Sequence, residues 1–195
     1  MTKTYAIIGD PIDHSLSPAI HNAAFGFLGL DCTYIAYRIP KGELAGGIDA
    51  LKLINIAGFN VTIPHKVEMM KFLDNTDEDC KTIGATNTVD NENGKFKGYN
   101  TDMDGFLDPI KQRNLSCKDS NALLIGAGGA ARAIVAAFAK EKAHKVTIAN
   151  RTREKAEELV KFANRLGLES EYTDLTNASN TAGNYKFIVN ATSVG

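Results

Sequence analysis

The sequence predicts an α/β protein in which two sheet-forming units follow one another along the chain. Short apolar segments alternate with helical patterns in both halves, as repeated strand, helix and strand units require. A glycine-rich turn at residues 126–131, GAGGAA, joins one such segment directly to an alanine-rich helical pattern. The chain has 195 residues, which is long enough for two small α/β domains. A boundary between them is expected near residues 100–120.

The first half contains three apolar strand patterns, at residues 4–8, 33–39 and 58–63. The first helix is expected to begin with Ser17 as N-cap and Pro18 at the first helical position. After the third strand the pattern places Lys66 in the first turn of another helix. Residues 86–100 predict a hairpin because alternating segments flank the turn dipeptide Asn93-Gly94.

The second half opens with a helix from about Thr101, which Pro109 is expected to kink or end. A polar stretch at 111–121 is typical of a connection between units. Beyond it the order is strand, helix, strand, helix, a short element near 170–175 and a last strand around 186–190. This order predicts a parallel, doubly wound sheet.

Charge and cysteine usage exclude several classes of protein. Lys plus Arg (22) nearly balances Asp plus Glu (23), so no global field favours nucleic acid or an anionic membrane. Three scattered cysteines, without C-x-x-C spacing, argue against a disulfide framework and against a zinc site. No metal is expected, since the histidines lack a ligand pattern. The cysteine usage fits a reducing cytoplasm, where we expect the protein. The most apolar stretch is interrupted by Arg132, so no membrane span is expected.

The glycine-rich turn has the spacing of a dinucleotide-binding loop. Gly126, Gly128 and Ala131 form G-x-G-x-x-A between a predicted strand and a predicted helix. Small residues there permit a tight turn and let backbone N–H groups approach a pyrophosphate at the helix N-terminus. The alternative is a glycine turn that only closes an ordinary strand–helix unit.

The end of the next strand indicates which dinucleotide is bound. An NAD site usually carries Asp or Glu about 20 residues after the glycines, but Asn150, Arg151 and Thr152 stand here. Arg151 offers a planar set of donors to a 2′-phosphate. NADP is therefore preferred to NAD. Thr152 taken alone is equally well explained as an N-cap.

Several ordered motifs share a wider resemblance. They are GDPIDHSLSPAIHN at 9–22, NVTIPHK at 60–66, GATNTV at 84–89, YNTD at 99–102, GAGGAAR at 126–132, NRT at 150–152 and NATSVG at 190–195. In this order the motifs resemble the shikimate dehydrogenase family over essentially the whole chain. The resemblance implies NADPH-dependent, reversible reduction of 3-dehydroshikimate to shikimate in aromatic amino-acid biosynthesis. It also implies a substrate-binding catalytic domain over 1–101 and an NADP-binding Rossmann domain over 102–195.

The resemblance assigns roles to individual residues. Ser15 and Ser17 would hold the substrate carboxylate; two hydroxyls at a helix start suit an anion, although Ser17 alone is better explained as an N-cap. The residues implied at the ring hydroxyls are Asn60, Thr62, Asn87 and Asp102. Those implied at the cofactor are Gly126, Ala127, Gly128, Gly129, Ala130, Asn150, Arg151, Thr152, Ala191 and Thr192.

Lys66 would be the catalytic residue, with Asp102 as its partner. Hydride addition to a ketone leaves negative charge on oxygen, so a donor must be aimed at that atom. A protonated lysine can donate to the developing alkoxide, and Asp102 would orient it and hold the adjacent hydroxyl. Without the motifs around them, Lys66 would be interpreted as a surface lysine and Asp102 as a carboxylate favoured by the helix dipole.

Where the chain departs from the family, alternatives stay open. It stops at Gly195, whereas the family continues with further strands and helices, so we expect an incomplete enzyme with exposed apolar edge surface, weak cofactor binding and poor turnover. A quinate/shikimate dehydrogenase using NAD or NADP is one alternative. A non-catalytic nucleotide-binding module is the other. A homodimer is compatible with the resemblance.

Overall fold

The structure is a computed structural model that describes residues 2–192. The chain divides between Asn100 and Thr101 into two compact units, each with its own sheet.

The first unit is built on a mixed six-stranded sheet. Its elements are β1 (Lys3–Gly9), α1 (Ser17–Leu28), β2 (Cys32–Arg38), α2 (Leu44–Leu53), β3 (Gly58–Val61), a 3₁₀ helix (Glu68–Phe72), β4 (Asn75–Thr76), α3 (Glu78–Ile83), β5 (Thr88–Glu92) and β6 (Lys95–Tyr99). The strand order is β2-β1-β3-β5-β6-β4. Strands β1, β2 and β3 run parallel, whereas β5 is antiparallel to both β3 and β6. The predicted hairpin is confirmed, and its turn residues Asn93 and Gly94 both have positive φ.

The two faces of this sheet bury different clusters. On one face Ile7, Ile12 and Tyr34 pack with Tyr5 and with Phe25 of α1. The opposite face buries the larger cluster, which comprises Ala6, Ile8, Ile39, Leu44, Ile48, Leu51, Ile56, Phe59, Val61, Met69, Val89 and Phe96. Alternation along β1 explains the division, because successive side chains of a strand point to opposite faces.

The second unit carries a four-stranded parallel sheet in the order β10-β7-β8-β9. Its elements are α4 (Asp102–Gln112), β7 (Asn121–Ile125), α5 (Gly129–Lys140), β8 (Lys145–Ala149), α6 (Arg153–Arg165), β9 (Glu169–Thr173), α7 (Leu175–Thr181), a 3₁₀ helix (Ala182–Asn184) and β10 (Phe187–Asn190). The order reverses at β7, since β8 and β9 lie on one side of it and β10 on the other. Ligands of parallel sheets bind at such a reversal.

Helices cover both faces of the second sheet. The Phe138 ring of α5 lies 5.9 Å from Phe187 of β10 on one face. On the other, Ala178 of α7 packs with Leu123 and Ala149. These contacts confirm the predicted α/β class and the doubly wound arrangement.

The N-cap expected for α1 is wrong, and of the two effects expected of Pro109, a kink or an end of the helix, the end is wrong. Ser17 is the first residue of α1, and Leu16 occupies the N-cap position without a side-chain cap. Helix α4 continues through Pro109 to Gln112. Proline removes one helical hydrogen bond, but buried Met103 and Leu107 hold α4 in place on its apolar side.

The expected helix around Lys66 is also wrong. Residues 63–67 form turns, and the helix that follows is a five-residue 3₁₀ helix beginning at Glu68. Lys66 therefore precedes the helix and does not lie in its first turn.

Apolar side chains are exposed in both units. Phe27 at the end of α1 is 90% exposed and Ile188 of β10 is 54% exposed. Across residues 2–192, no helix has both the length and the apolar character needed to cross a membrane.

Candidate functional site

Ser15 and Ser17 lie together where the chain enters α1. The backbone N–H of Ser17 donates to Ser15 Oγ at 3.3 Å, and the backbone N–H of Ser15 donates to the Ile12 carbonyl. Both serines are half-buried. The first N–H groups of a helix have no partner within the helix, so this entrance suits a small anion such as a carboxylate.

Asn60 and Asn87 are joined through Thr88. Asn60 Nδ2 donates to the Asn87 carbonyl at 3.2 Å and to Thr88 Oγ1 at 3.1 Å. The Thr88 hydroxyl in turn donates to Asn87 Oδ1 at 2.9 Å. Asn60 and Thr88 are direct cross-strand partners between β3 and β5. The structure thus brings two of the predicted ring-hydroxyl residues into one network.

Thr62 and Lys66 follow β3 in the turn segment. The N–H of Thr62 donates to the Ile8 carbonyl at 2.9 Å, and the Lys66 carbonyl accepts from the N–H of Thr86 at 2.9 Å. Thr86 immediately precedes Asn87. The Lys66 backbone is therefore tied to the same strand start that carries Asn87, and its side chain is half-buried.

His65 anchors this turn. Its ring is fully buried, and Nε2 lies 2.7 Å from the Ile39 carbonyl oxygen. A carbonyl can only accept, so Nε2 carries the proton and donates. His65 is thus a buried packing and hydrogen-bonding residue of the turn.

Asp102 belongs to the second unit, where it is the first residue of α4 and half-buried. Thr101 is the N-cap. A carboxylate in the first helical turn is stabilised by the helix dipole.

The glycine turn between β7 and α5 has a backbone geometry that suits a pyrophosphate. Gly126 has φ +113°, and a Cβ on it would lie 3.0 Å from the backbone carbonyl of Ala191. Gly128 is the N-cap of α5, and a Cβ there would meet nothing within 4 Å. The first glycine is thus needed for the turn, while the second leaves the backbone open at the start of a helix. Ala127 lies between the two glycines, and Gly129 and Ala130 are the first two residues of α5.

Ala191 and Thr192 follow β10 beside this turn. The N–H of Ala191 donates to the Ile125 carbonyl at 2.8 Å. Asn190 Oδ1 accepts from the backbone N–H and the hydroxyl of Thr192, at 3.0 and 2.7 Å. The structure therefore brings Gly126, Ala191 and Thr192 together where the strand order reverses. The last three residues of the 190–195 motif lie outside the described residues.

The residues predicted to select NADP lie at the end of β8. Asn150 Nδ2 donates to the Thr152 carbonyl at 2.8 Å, and Arg151 and Thr152 are exposed. Thr152 is the N-cap of α6, but its side chain makes no capping hydrogen bond. An exposed guanidinium beside a helix start fits a 2′-phosphate.

Arg132 has a different setting. Its guanidinium lies 4.1 Å from the centre of the Phe162 ring, and burial lowers its pKa from the ordinary value.

Sequence reasoning missed the residues that support Asn60. The Tyr34 hydroxyl donates to Asn60 Oδ1 at 2.6 Å, and Asn22 makes two hydrogen bonds to the Tyr34 backbone. The only local signal was Asn22 within the 9–22 motif. For metals, the described part of the chain contains no group of three or more His, Cys, Asp or Glu residues suited to hold an ion.

Comparison with known proteins gives a family match for each of the two units. Residues 7–89 match the family described as shikimate dehydrogenase substrate binding domain, and residues 109–194 match shikimate / quinate 5-dehydrogenase. The shikimate dehydrogenase (NADP(+)) of Nitrosopumilus maritimus is 64% identical over 195 residues, which are 100% of this chain and 71% of that protein.

Two solved structures are also similar. Shikimate dehydrogenase from Aquifex aeolicus superposes with a TM-score of 0.87 at 41% identity, and the Thermus thermophilus enzyme in complex with NADP(H) and shikimate with 0.82 at 34%. Each comparison covers 100% of this chain and 70% of the other. On these matches and on the geometry above, the chain belongs to the shikimate dehydrogenase family.

Proposed function

We propose that this chain catalyses the reversible, NADPH-dependent reduction of 3-dehydroshikimate to shikimate in aromatic amino-acid biosynthesis. The observation that carries the proposal is its 64% identity, along its whole length, to a protein named shikimate dehydrogenase (NADP(+)). The Thermus thermophilus relative, which holds NADP(H) and shikimate, supports the same pair of ligands.

Residues 1–101 are assigned to substrate binding, and Asp102 is assigned to the substrate with them. Ser15 and Ser17, at the α1 entrance, take the substrate carboxylate. Asn60, Thr62, Asn87 and Asp102 take its ring hydroxyls, the first two at the end of β3 and the third at the adjoining start of β5. The carboxyl ends of parallel strands are where such sheets bind ligands.

Lys66 is assigned as the proton donor. Reduction converts a ketone carbon into a secondary alcohol, so the carbonyl oxygen gains negative charge and then a proton. A lysine ammonium can stabilise that charge and supply the proton, and in the oxidation direction the neutral amine accepts it. The Asp102 carboxylate accepts a hydrogen bond from a substrate hydroxyl.

Residues 102–195 are assigned to NADP. The open backbone at Gly128 and the start of α5 would hold the pyrophosphate, with Ala127, Gly129 and Ala130. Arg151, with Asn150 and Thr152, would hold the 2′-phosphate. Ala191 and Thr192 would line the other side of the strand-order reversal. NADPH, when bound, supplies the hydride.

Quinate is the rival substrate, because the family description matched by residues 109–194 includes quinate. Steady-state rates on the purified chain decide between the two. We expect oxidation of shikimate with NADP to exceed that of quinate, and NADP to exceed NAD. Equal or greater rates with quinate would instead assign the quinate/shikimate activity. No turnover with either, together with nucleotide binding, would leave only a binding module.

A homodimer is proposed on the exposed apolar end of α1, where Phe27 is 90% exposed. Light scattering across a concentration series tests it. A monomer mass at every concentration would contradict the dimer without affecting the assigned reaction.

A further inference from the structure

Tyr34 reaches a proposed substrate residue from two strands away. It lies on β2, is 4% exposed, and β1 separates it from β3. Its hydroxyl nevertheless donates to Asn60 Oδ1 at 2.6 Å. Pairing on β1 places Tyr34 opposite Tyr5 and Asn60 opposite Ile7, so the tyrosine side chain crosses β1 diagonally.

This contact determines which atom Asn60 presents. Both N–H groups of the Asn60 amide are used, one by the Asn87 carbonyl and one by Thr88 Oγ1. One lone pair of Oδ1 accepts from Tyr34, which leaves the second lone pair for a ligand. Reversing the amide would place Oδ1 against the Asn87 carbonyl, where two acceptors would face each other. Asn60 can therefore accept from a substrate hydroxyl but has no N–H left to donate to one.

Tyr34 is itself held by α1. Asn22 Nδ2 donates to the Tyr34 carbonyl, and the Tyr34 N–H donates to Asn22 Oδ1, both at 2.8 Å. The His21 ring stacks on the tyrosine ring with centroids 4.3 Å apart and an interplanar angle of 16°. The helix that begins with Ser17 is thus linked to Asn60 through one side chain.

We propose that Tyr34 is a positioning residue that fixes the Asn60 amide, through its hydroxyl, with Oδ1 as acceptor for a substrate hydroxyl. The inference rests on the proposed role of Asn60 in shikimate binding. It also fixes the direction of the hydrogen bond: Asn60 accepts, so the substrate hydroxyl that it binds must donate. Thr88 acts on the same amide from the opposite side.

A double-mutant cycle tests the proposal. Tyr34→Phe removes only the hydroxyl and is expected to lower kcat/KM for shikimate about 10-fold, chiefly through KM, with KM for NADP unchanged. In an Asn60→Ala background the same change should cost less than a factor of about 2, because the group that it orients is gone. Tyr5→Phe, on the neighbouring strand and the same face, is the matched control and should leave kcat/KM unchanged.

The outcomes distinguish the positioning role of Tyr34 from the substrate role of Asn60. If Tyr34→Phe costs the same factor in both backgrounds, or nothing in the native one, the positioning role is overturned. If Asn60→Ala itself leaves KM for shikimate unchanged, the proposed substrate role of Asn60 fails and the inference fails with it.

Thr88→Val supplies an independent variant should Tyr34→Phe fold poorly. It removes the other anchor of the amide and should also raise KM for shikimate. The rise should be smaller on the Asn60→Ala background, where only the Thr88 contact with Asn87 is still lost. Deoxy analogues of shikimate add a direct readout. For the analogue that lacks the hydroxyl donated to Asn60, KM should be the same in the native protein and in Tyr34→Phe. If Tyr34→Phe changed KM by the same factor for every analogue, Tyr34 would not act through the hydroxyl that Asn60 binds.

Discussion

Gly126 lies directly against Ala191, so that a Cβ on the glycine would sit 3.0 Å from the backbone carbonyl of its neighbour. The two residues follow β7 and β10, the adjacent strands at which the sheet order reverses. With φ at +113°, Gly126 also occupies backbone space that side chains rarely adopt. The backbone can therefore follow this path because residue 126 is a glycine and has no Cβ.

Gly126→Ala should lower stability and NADP affinity together. Backbone strain and the close contact are expected to cost about 1–3 kcal/mol. Thermal unfolding with and without NADP measures both effects, and the midpoint should fall even without nucleotide.

Gly128→Ala provides the contrast. Its backbone is at an ordinary φ of −97° and an added Cβ meets no protein atom within 4 Å. Only an N-cap effect should reduce its stability, by less than about 1 kcal/mol, whereas NADP affinity should fall because the methyl occupies the open approach to the backbone. Unchanged NADP affinity in Gly128→Ala would contradict the placement of the pyrophosphate.

Arg151→Ser should weaken NADP binding selectively. Loss of a charge-assisted contact to the 2′-phosphate is expected to raise the NADP Kd roughly 10- to 100-fold, while the Kd for NAD, which lacks that phosphate, changes little. Isothermal titration with both nucleotides measures the difference.

Arg153→Ser is the matched control for this change. Arg153 is two residues away and its guanidinium pairs with Glu157 at 2.7 Å, so both Kd values should stay as they are. A parallel loss of NAD affinity in Arg151→Ser would mean that the arginine supports the loop rather than reading the phosphate.

Lys66→Met should affect the chemical step. Removing the proton donor is expected to lower kcat by about 10²- to 10⁴-fold with little change in KM for shikimate. Lys71→Met, at an exposed lysine of the neighbouring 3₁₀ helix, controls for the loss of one charge and should keep its kcat. A rise in KM at constant kcat would make Lys66 a binding residue instead.

How well the sequence predicted the molecule depends on the range of the interactions involved. The Gly126 turn was predictable because strand, glycine spacing and helix are contiguous in sequence. The hairpin at Asn93 was predictable for the same reason.

Features set by distant contacts were not predictable. Burial of Leu107 outweighs the helix break expected at Pro109. Around Lys66, where a helix was expected, the chain forms turns, and the buried His65 ring in those turns contacts the Ile39 carbonyl. Tyr34 and Asn60 are 26 residues and two strands apart. No local pattern connects such a pair, because only the strand order brings the two side chains within hydrogen-bond distance.

Burial of Tyr34 also predicts a pH dependence of stability. Its pKa is raised by burial from 10.0 to about 12. In the unfolded chain the phenol ionises near its ordinary pKa, whereas in the folded protein it stays neutral until higher pH. Tyr34 therefore contributes its full stabilisation below about pH 10, and the contribution is lost as pH rises toward about 12.

Comparison with Tyr34→Phe isolates this effect, since the lysines and the other tyrosines titrate in both proteins. Between about pH 10 and 12 the native protein should lose about 2–3 kcal/mol more free energy of unfolding than the variant. Urea unfolding at closely spaced pH values measures both curves. Parallel curves over that interval would show that the Tyr34 hydroxyl ionises as readily in the folded protein as in the unfolded chain, so that neither burial nor the hydrogen bond donated to Asn60 favours the neutral phenol.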